Sequence, residues 1–156
     1  AVRYPPLGDR GVASSGRAAR YGAVRLKEHV ASSNEEIMLS VMIEDMEALN
    51  DIEGIANTDG IDLISIGPSD LARALGVLGE PNHPKLRQTV EKIAAAIKKG
   101  GKARMQFPLM HSTLPLSIPD LLALGVAYTH CNPLAPFRLL RSYQEQVKEI
   151  RAAMTK

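Results

Sequence analysis

The chain has 156 residues, 45% hydrophobic and 23% charged, a composition typical of a folded domain rather than of a disordered segment. Its formal charge of +2 comes from 19 basic and 17 acidic residues that are spread along the sequence, so we expect no nucleic-acid partner. No apolar run approaches the ~20 residues of a membrane-spanning helix, so we expect no membrane partner. The single cysteine, Cys131, excludes an internal disulfide and fits our expectation of a cytoplasmic protein.

The amino-terminal residues predict a lead-in to the main structure. The sequence has no initiator Met, and Tyr4-Pro5-Pro6 is typical of a loop that leaves a preceding element, so we expect further sequence upstream. We assign residues 1–36 to a helical lead-in, residues 37–156 to four βα units with a carboxyl-terminal helix, and the whole of 1–156 to a single partial domain.

Two βα units follow in the first half of the chain. Residues 37 to 43 form a nearly continuous apolar run, which predicts a strand buried on both faces, and residues 45 to 56 carry an apolar stripe at three-residue steps, which predicts one helix. Residues 61 to 66 predict the second strand. Residues 84 to 99 predict a long amphipathic helix that ends at Gly100-Gly101.

The second half of the chain repeats this alternation. Strands are predicted at residues 102 to 107 and 126 to 130, with helices at residues 118 to 124 and 137 to 154. Alternating strands and helices indicate a parallel sheet, either doubly wound or part of a (β/α)8 barrel. Because a complete barrel has eight strands and ~250 residues, we predict the carboxyl-terminal half of a TIM barrel, completed by another segment or a symmetry mate.

Two acidic residues follow the first two predicted strands. Glu44 ends one strand and Asp70 follows the next, so both lie at the strand edge where α/β folds collect their site residues. Adjacent strands are ~4.8 Å apart, which is close enough for two carboxylates to share one cation. Hard oxygen ligands without a Cys/His cluster favour Mg²⁺ or Mn²⁺, with Co²⁺ as a further possibility.

Helix capping is an equally simple explanation of the two acids, since carboxylates are favourable at helix amino termini. On spacing alone the two explanations have similar weight. The turn Gly67-Pro68-Ser69-Asp70 favours a binding site, because glycine lets the backbone approach a ligand and a helix start presents N–H groups that can hold a carboxylate.

The same residues resemble a known family. The stretches Val41-Met42-Ile43-Glu44-Asp45-Met46-Glu47-Ala48 and Gly60-Ile61-Asp62-Leu63-Ile64-Ser65-Ile66-Gly67-Pro68-Ser69-Asp70-Leu71-Ala72 resemble the metal and substrate motifs of the HpcH/HpaI aldolases. The stretch Arg3-Tyr4-Pro5-Pro6-Leu7-Gly8-Asp9-Arg10-Gly11 is similar to the motif after that family's fourth barrel unit. The resemblance is specific from Ala1 to about Lys102.

The resemblance implies a class II aldolase on a (β/α)8 barrel, usually assembled as a hexamer that is built from dimers. It implies that Glu44 and Asp70 bind the divalent metal. It also implies a substrate site made by Gly67, Pro68, Ser69 and Asp70, with Met42 beside it. The small-molecule partners would be a 2-oxo acid and an aldehyde, and the chain would form a homo-oligomer.

The sequence departs from the family pattern in two ways. Met42 stands where the family has a Gln, and a thioether is at best a weak acceptor. The base-orienting His and the substrate-binding Arg of the family belong to barrel units upstream of Ala1, so we assign no catalytic residue in this chain.

Two functions remain open. The first is a metal-dependent lyase that cleaves a 4-hydroxy-2-oxo acid to pyruvate, or a pyruvate analogue, and an aldehyde. The second is a truncated, weakly active or inactive remnant or subunit that binds metal and 2-oxo acid but needs another chain for catalysis. A phosphate-binding half-barrel is disfavoured, because no Gly-rich phosphate loop follows a strand.

The remaining histidines and the cysteine have simpler explanations. Adjacent strand residues point to opposite faces, so His130 and Cys131 do not form a nucleophile pair; we expect His130 at the rim and Cys131 buried. His83 is expected to cap the helix that starts at Pro84. His29 and His111 lack ligand-spaced neighbours, which predicts solvent exposure or local hydrogen bonds.

Overall fold

The computed structural model describes residues 2–130 and 135–154, and the chain divides into two compact units, Ala1–Leu39 and Ser40–Lys156. Cys131, for which a buried position is predicted, lies outside the described residues. Among the described residues, no helix is both long and apolar enough to cross a membrane. The assignment of residues 1–156 to one partial domain stays a prediction.

The first unit contains a 3₁₀ segment, Arg17–Gly22, and helix α1, Leu26–Glu36. Its buried centre is Tyr4, which is 2% exposed. The Asn34 side chain accepts a hydrogen bond from Tyr4 N at 2.7 Å and donates one to Tyr4 O at 3.1 Å. His29 is buried, with Nε2 3.4 Å from the Tyr4 hydroxyl and Nδ1 3.4 Å from Ser33 Oγ. Of the two environments expected for His29, local hydrogen bonding is therefore the correct one.

The second unit is built on a parallel sheet of four strands in chain order. The strands are β1 (Ser40–Ile43), β2 (Leu63–Ile66), β3 (Arg104–Gln106) and β4 (Val126–Tyr128). The helices are α2 (Met46–Asn50), α3 (Ile52–Ala56), α4 (Pro68–Ala74), α5 (Pro84–Gly100), α6 (Ile118–Ala123) and α7 (Ala135–Met154). Each strand pairs with the next one along the chain, which is the winding of a barrel rather than of a doubly wound sheet.

The core lies between one face of this sheet and the helices. Helix α5 supplies four apolar residues from one of its faces, and alternate residues of the strands meet them. The helix residues are Leu86, Val90, Ile93 and Ile97, and the strand residues include Ile43, Ile64, Ile66 and Met105. The other sheet face carries Met42, Ser65 and Gln106, which are paired in register across β1, β2 and β3.

Two predictions about secondary structure are wrong in detail. The single helix predicted over residues 45 to 56 is two helices, α2 and α3, because Asp51 has non-helical angles (φ −109°, ψ 22°) and forms the cap between them. Strand β1 is not buried on both faces: Ser40 and Met42 are exposed, since β1 is an edge strand of the described sheet. Strand β2, which has a neighbour on each side, is buried at all four positions as predicted.

Candidate active site

Glu44 and Gly67 lie side by side where β1 and β2 end. Ile43 pairs with Ile66, and the backbone N–H of Gly67 donates to Ile43 O at 3.2 Å, which continues the ladder one residue further. A Cβ atom at position 67 would be 3.1 Å from both Cβ and Oε2 of Glu44. Any side chain there would push against the carboxylate, so Gly67 is needed to leave space beside Glu44.

Met42 lies on the same face of β1 as Glu44, because residues two apart on a strand point the same way. Its Sδ atom would be 3.2 Å from a Cβ at Gly67, and its side chain is 53% exposed. The structure therefore brings together three of the predicted site residues around the end of β2. The Met42 side chain brings a polarisable thioether to this group of residues but no strong hydrogen-bonding group.

The other predicted residues start helix α4. Pro68 is its first residue and is buried, while Ser69 and Asp70 are exposed in its first turn. Backbone N–H groups in a first helical turn lack intrahelical acceptors. The Asp70 carboxylate lies 3.4 Å from Arg73 Nε, an exposed pair that holds Asp70 only weakly. Ser69 Oγ lies 3.1 Å from Thr113 Oγ1 in the loop after β3.

The capping explanation is wrong for Glu44 and fits Asp70 in part. The carboxylate that caps α2 belongs to the next residue, Asp45, whose Oδ1 accepts from Ala48 N at 2.8 Å. Asp70 does stand in the first turn of α4, but it is the third residue of that helix rather than the cap that precedes it. Capping therefore gives no reason for Glu44 to stand at the strand end.

A second polar group at the same edge was not predicted as part of a site. Ser40 Oγ donates to Gln106 Oε1 at 3.4 Å, and Gln106 Nε2 lies 3.4 Å from Nδ1 of His130. His130 is exposed and follows the end of β4. Gln106 ends β3 on the face that also carries Met42. The rule that selected Glu44, a polar residue at a strand end, could have selected Gln106 as well.

His111 lies in the loop after β3 and is half-buried. Its Nδ1 accepts from Thr113 N at 3.2 Å, in agreement with the predicted local hydrogen bonding. Burial lowers the pKa of His111 below its ordinary value of 6.5, and the nearby His130 lowers it further. His83 caps α5 as predicted, since its Nδ1 accepts from Lys85 N at 3.1 Å.

The residues present fit a divalent cation. The donors at the strand edge are carboxylate oxygens, and the space beside Glu44 Oε2 is one that any side chain at position 67 would fill. The described residues contain no cluster of three or more His, Cys, Asp or Glu side chains at metal-binding positions. A cation held by Glu44 and Asp70 would therefore take its remaining ligands from substrate or water.

Comparison with known proteins identifies the same family as the sequence motifs. The model of the family described as HpcH/HpaI aldolase/citrate lyase matches residues 1–111. The 5-keto-4-deoxy-D-glucarate aldolase of Citrobacter koseri is 45% identical over 101 residues, which are 65% of this chain and 38% of that protein. The protein of the same name from Klebsiella pneumoniae is 44% identical over 101 residues, 65% of this chain and 39% of its own length. The chain thus spans about two fifths of these relatives.

Solved structures support the fold assignment. An HpcH/HpaI aldolase/citrate lyase family protein from Burkholderia cenocepacia superposes with a TM-score of 0.77 at 27% identity, covering 96% of this chain and 57% of that one. The HpcH/HpaI aldolase of Desulfitobacterium hafniense gives a TM-score of 0.73 at 28% identity, covering 94% of this chain and 56% of that one. The predicted partial TIM barrel is confirmed.

Proposed function

Because this chain belongs to the HpcH/HpaI aldolase/citrate lyase family, we propose that it is a metal-dependent carbon–carbon lyase. Its reaction would be cleavage of a 4-hydroxy-2-oxo acid to pyruvate, or a pyruvate analogue, and an aldehyde. The observation that carries this proposal is the contact between Gly67 and Glu44. Gly67 leaves space beside the Glu44 carboxylate, and both residues lie in the segment that matches the family. A cation and a small ligand need such a space.

The named relatives support the substrate class. In 5-keto-4-deoxy-D-glucarate the keto carbon is adjacent to a carboxylate, the next carbon is deoxy, and the one after that bears a hydroxyl group. Read from the keto end, this is a 4-hydroxy-2-oxo acid. Cleavage beyond the deoxy carbon would release pyruvate and a three-carbon aldehyde that carries a hydroxyl and a carboxylate. We propose a substrate of this kind.

Each site residue then has a role. Glu44 and Asp70 would hold Mg²⁺ or Mn²⁺, or Co²⁺ in their place, and when bound the cation would stabilise negative charge on the 2-oxo oxygen as the bond breaks. The backbone N–H groups of Ser69 and Asp70 would hold the substrate carboxylate. Pro68 fixes the start of α4, and Gly67 keeps the space beside Glu44 open.

The alternative function is metal and 2-oxo-acid binding without efficient turnover. The sequence resemblance places the family's base-orienting His and substrate-binding Arg in barrel units that this chain does not contain. In this alternative, another chain would supply a general base and a cation near the developing charge. The matched segment covers 38% of the Citrobacter koseri relative, so that relative's activity also depends on residues outside the match.

We also propose a cytoplasmic homo-oligomer, the assembly that the family resemblance implies. Helix α7 carries a row of exposed large apolar side chains at helical spacing, and rows of this kind mark contact surfaces. Its members are Leu140, Tyr143, Val147, Ile150 and Met154. In the described sheet, β1 and β4 each have one unpaired edge, where another strand could add.

The test is Mn²⁺ binding together with pyruvate release from a 4-hydroxy-2-oxo acid. Glu44→Gln and Asp70→Asn should each weaken Mn²⁺ binding by at least about tenfold, since each removes a charged ligand. Asp45→Asn is the matched control, because asparagine keeps the α2 cap and this carboxylate is not at the site. Its affinity for Mn²⁺ should be unchanged.

Three outcomes are informative. Metal-dependent cleavage that is lost in both site variants supports the lyase. Oxalate-dependent Mn²⁺ binding without turnover supports the alternative function. Unchanged Mn²⁺ affinity in both Glu44→Gln and Asp70→Asn would exclude the metal site.

A further inference from the structure

His111 and His130 each have a neutral form that is fixed by hydrogen bonds to Nδ1, with the proton on Nε2. Thr113 N can only donate, so Nδ1 of His111, which accepts from it, carries no proton and the neutral ring keeps its proton on Nε2. Ser40 Oγ donates to Gln106 Oε1, which directs the amide Nε2 of Gln106 toward His130. An amide nitrogen also only donates, so Nδ1 of His130 accepts and its Nε2 carries the proton.

Among the described residues, the Nε2 atoms of His111 and His130 have no hydrogen-bond acceptor. Each Nε2–H group is therefore a candidate donor to a ligand. The low pKa of His111, caused by burial and by the neighbouring His130, keeps its ring neutral at physiological pH. A neutral imidazole N–H donates to hydroxyl, carbonyl and carboxylate oxygens alike, without adding a positive charge beside the cation site.

His130 and His111 are separated from the proposed metal ligands in the direction that crosses the strands. Met42 pairs with Ser65 and Ser65 pairs with Gln106, so Gln106 is two strand spacings, about 10 Å, from the Met42 position. On the other side, Thr113 joins His111 to Ser69, the residue before Asp70, through the contact of the two hydroxyl groups. An extended ligand anchored at Glu44 and Asp70 would direct its far end toward this group.

We propose that His111 and His130 form a subsite for the distal oxygen atoms of the substrate, the hydroxyl and carboxylate groups of the aldehyde portion. This inference rests on the proposed function and specifies its substrate class: the chain would prefer 2-oxo acids with a polar or acidic tail over those with an alkyl tail. The family model matches residues 1–111, so His130 lies beyond the matched segment.

The test compares two ligands of equal length. Calorimetry with the Mn²⁺-loaded chain would measure 2-oxoglutarate, which has a distal carboxylate, against 2-oxopentanoate, which ends in a methyl group. Wild type should bind 2-oxoglutarate about tenfold more tightly, the effect of one hydrogen bond to a charged group. Equal affinities for the two ligands would overturn the subsite.

Two substitutions of His111 separate its proposed ligand contact through Nε2 from its loop contact with Thr113 through Nδ1. In His111→Asn the amide oxygen can still accept from Thr113 N, but no donor remains at the Nε2 position, so the preference should disappear. In His111→Gln a side-chain N–H returns near that position and part of the preference should return. His83→Asn is the matched control, since Nδ1 of His83 also accepts a backbone N–H but its Nε2 faces Glu80 at 3.6 Å.

A measurement without metal keeps the two proposals distinguishable. Titration of the ¹⁵N-labelled chain with millimolar glycerate, an analogue of the aldehyde product, should shift the Nε2 signals of His111 and His130 but not that of His83. Absence of Mn²⁺-dependent pyruvate binding together with these shifts would contradict the proposed function and retain the subsite. Absence of the shifts, or a preference for 2-oxoglutarate that survives in His111→Asn, would contradict the subsite.

Discussion

Gly67 approaches Glu44 so closely that a single added methyl group would touch its carboxylate, with 3.1 Å between the new Cβ and Oε2. This contact links the end of β2 to the end of β1 and sets the position of the first proposed metal ligand. It also makes the site sensitive to a change that leaves both carboxylates in place.

We predict that Gly67→Ala weakens Mn²⁺ binding by about tenfold while the fold is retained, because the half-buried Glu44 side chain can rotate away from the methyl group. Calorimetry would give the affinity and circular dichroism the stability. Gly16→Ala is the control, since position 16 has open space around it and an ordinary φ of −80°. Equal Mn²⁺ affinity in Gly67→Ala and wild type would contradict the need for a glycine beside Glu44.

Met42→Gln should strengthen 2-oxo-acid binding. The side chain is 53% exposed beside Gly67, so glutamine can be accommodated, and its amide would replace a thioether that hydrogen-bonds poorly. One additional hydrogen bond predicts about a three- to tenfold lower Kd for pyruvate in the Mn²⁺-loaded chain. Met42→Leu should leave the Kd unchanged. A weaker or equal affinity in Met42→Gln would mean that bound substrate does not reach this side chain.

His111 should make the fold less stable in mild acid. Its native pKa lies below the ordinary 6.5, so below that pH the unfolded chain binds more protons than the native chain. The free energy of unfolding should therefore fall as the pH decreases from 6.5 and level off below the native pKa of His111. Denaturant titrations across this range should show a smaller fall in His111→Asn. A fall of the same size in both proteins would assign the effect to other groups.

Gly100→Ala should destabilise the protein, although alanine is the better helix former by about 1 kcal/mol. Gly100 is the last residue of α5, and a Cβ there would lie 2.8 Å from the backbone oxygen of Ala56, at the end of α3. Backbone cannot rotate away as a side chain can, so we expect a net loss of about 1–2 kcal/mol in the free energy of unfolding. An increase in stability would show that the two helix ends separate easily.

The strand order and the long helix were predictable because their signals are local. A continuous apolar run gave β2, and four apolar residues on one face gave α5 with its stop at Gly101, whose φ is +69°. The division between α2 and α3 was not predictable in this way. The apolar stripe continues through Leu49, Ile52 and Ile55, all packed against the core, while Asp51 breaks the backbone between them.

The site residues that follow strand ends were predictable from the sequence. The contacts that the loop after β3 makes with the site were not. Glu44, Gly67 and Asp70 follow directly from the ends of β1 and β2. The exposure of β1 depends on which strands flank it, which no local pattern records. The contact between Thr113 and Ser69 joins residues 44 positions apart, and nothing in either segment indicates it.

The irregular pairing of β3 with β4 affects how β4 reaches the carboxyl-terminal edge of the sheet. Met105 pairs with Val126, but Gln106 pairs with Tyr128, so Ala127 is an additional residue with no partner in β3. Because Ala127 has no partner, its removal would place Tyr128 directly after Val126 and make the ladder opposite Met105 and Gln106 regular. The bend that a bulge introduces into β4 would then be lost, and with it the direction in which β4 brings His130 to Gln106. We therefore expect a one-residue deletion here to disturb this end of the site more than a point substitution in β4.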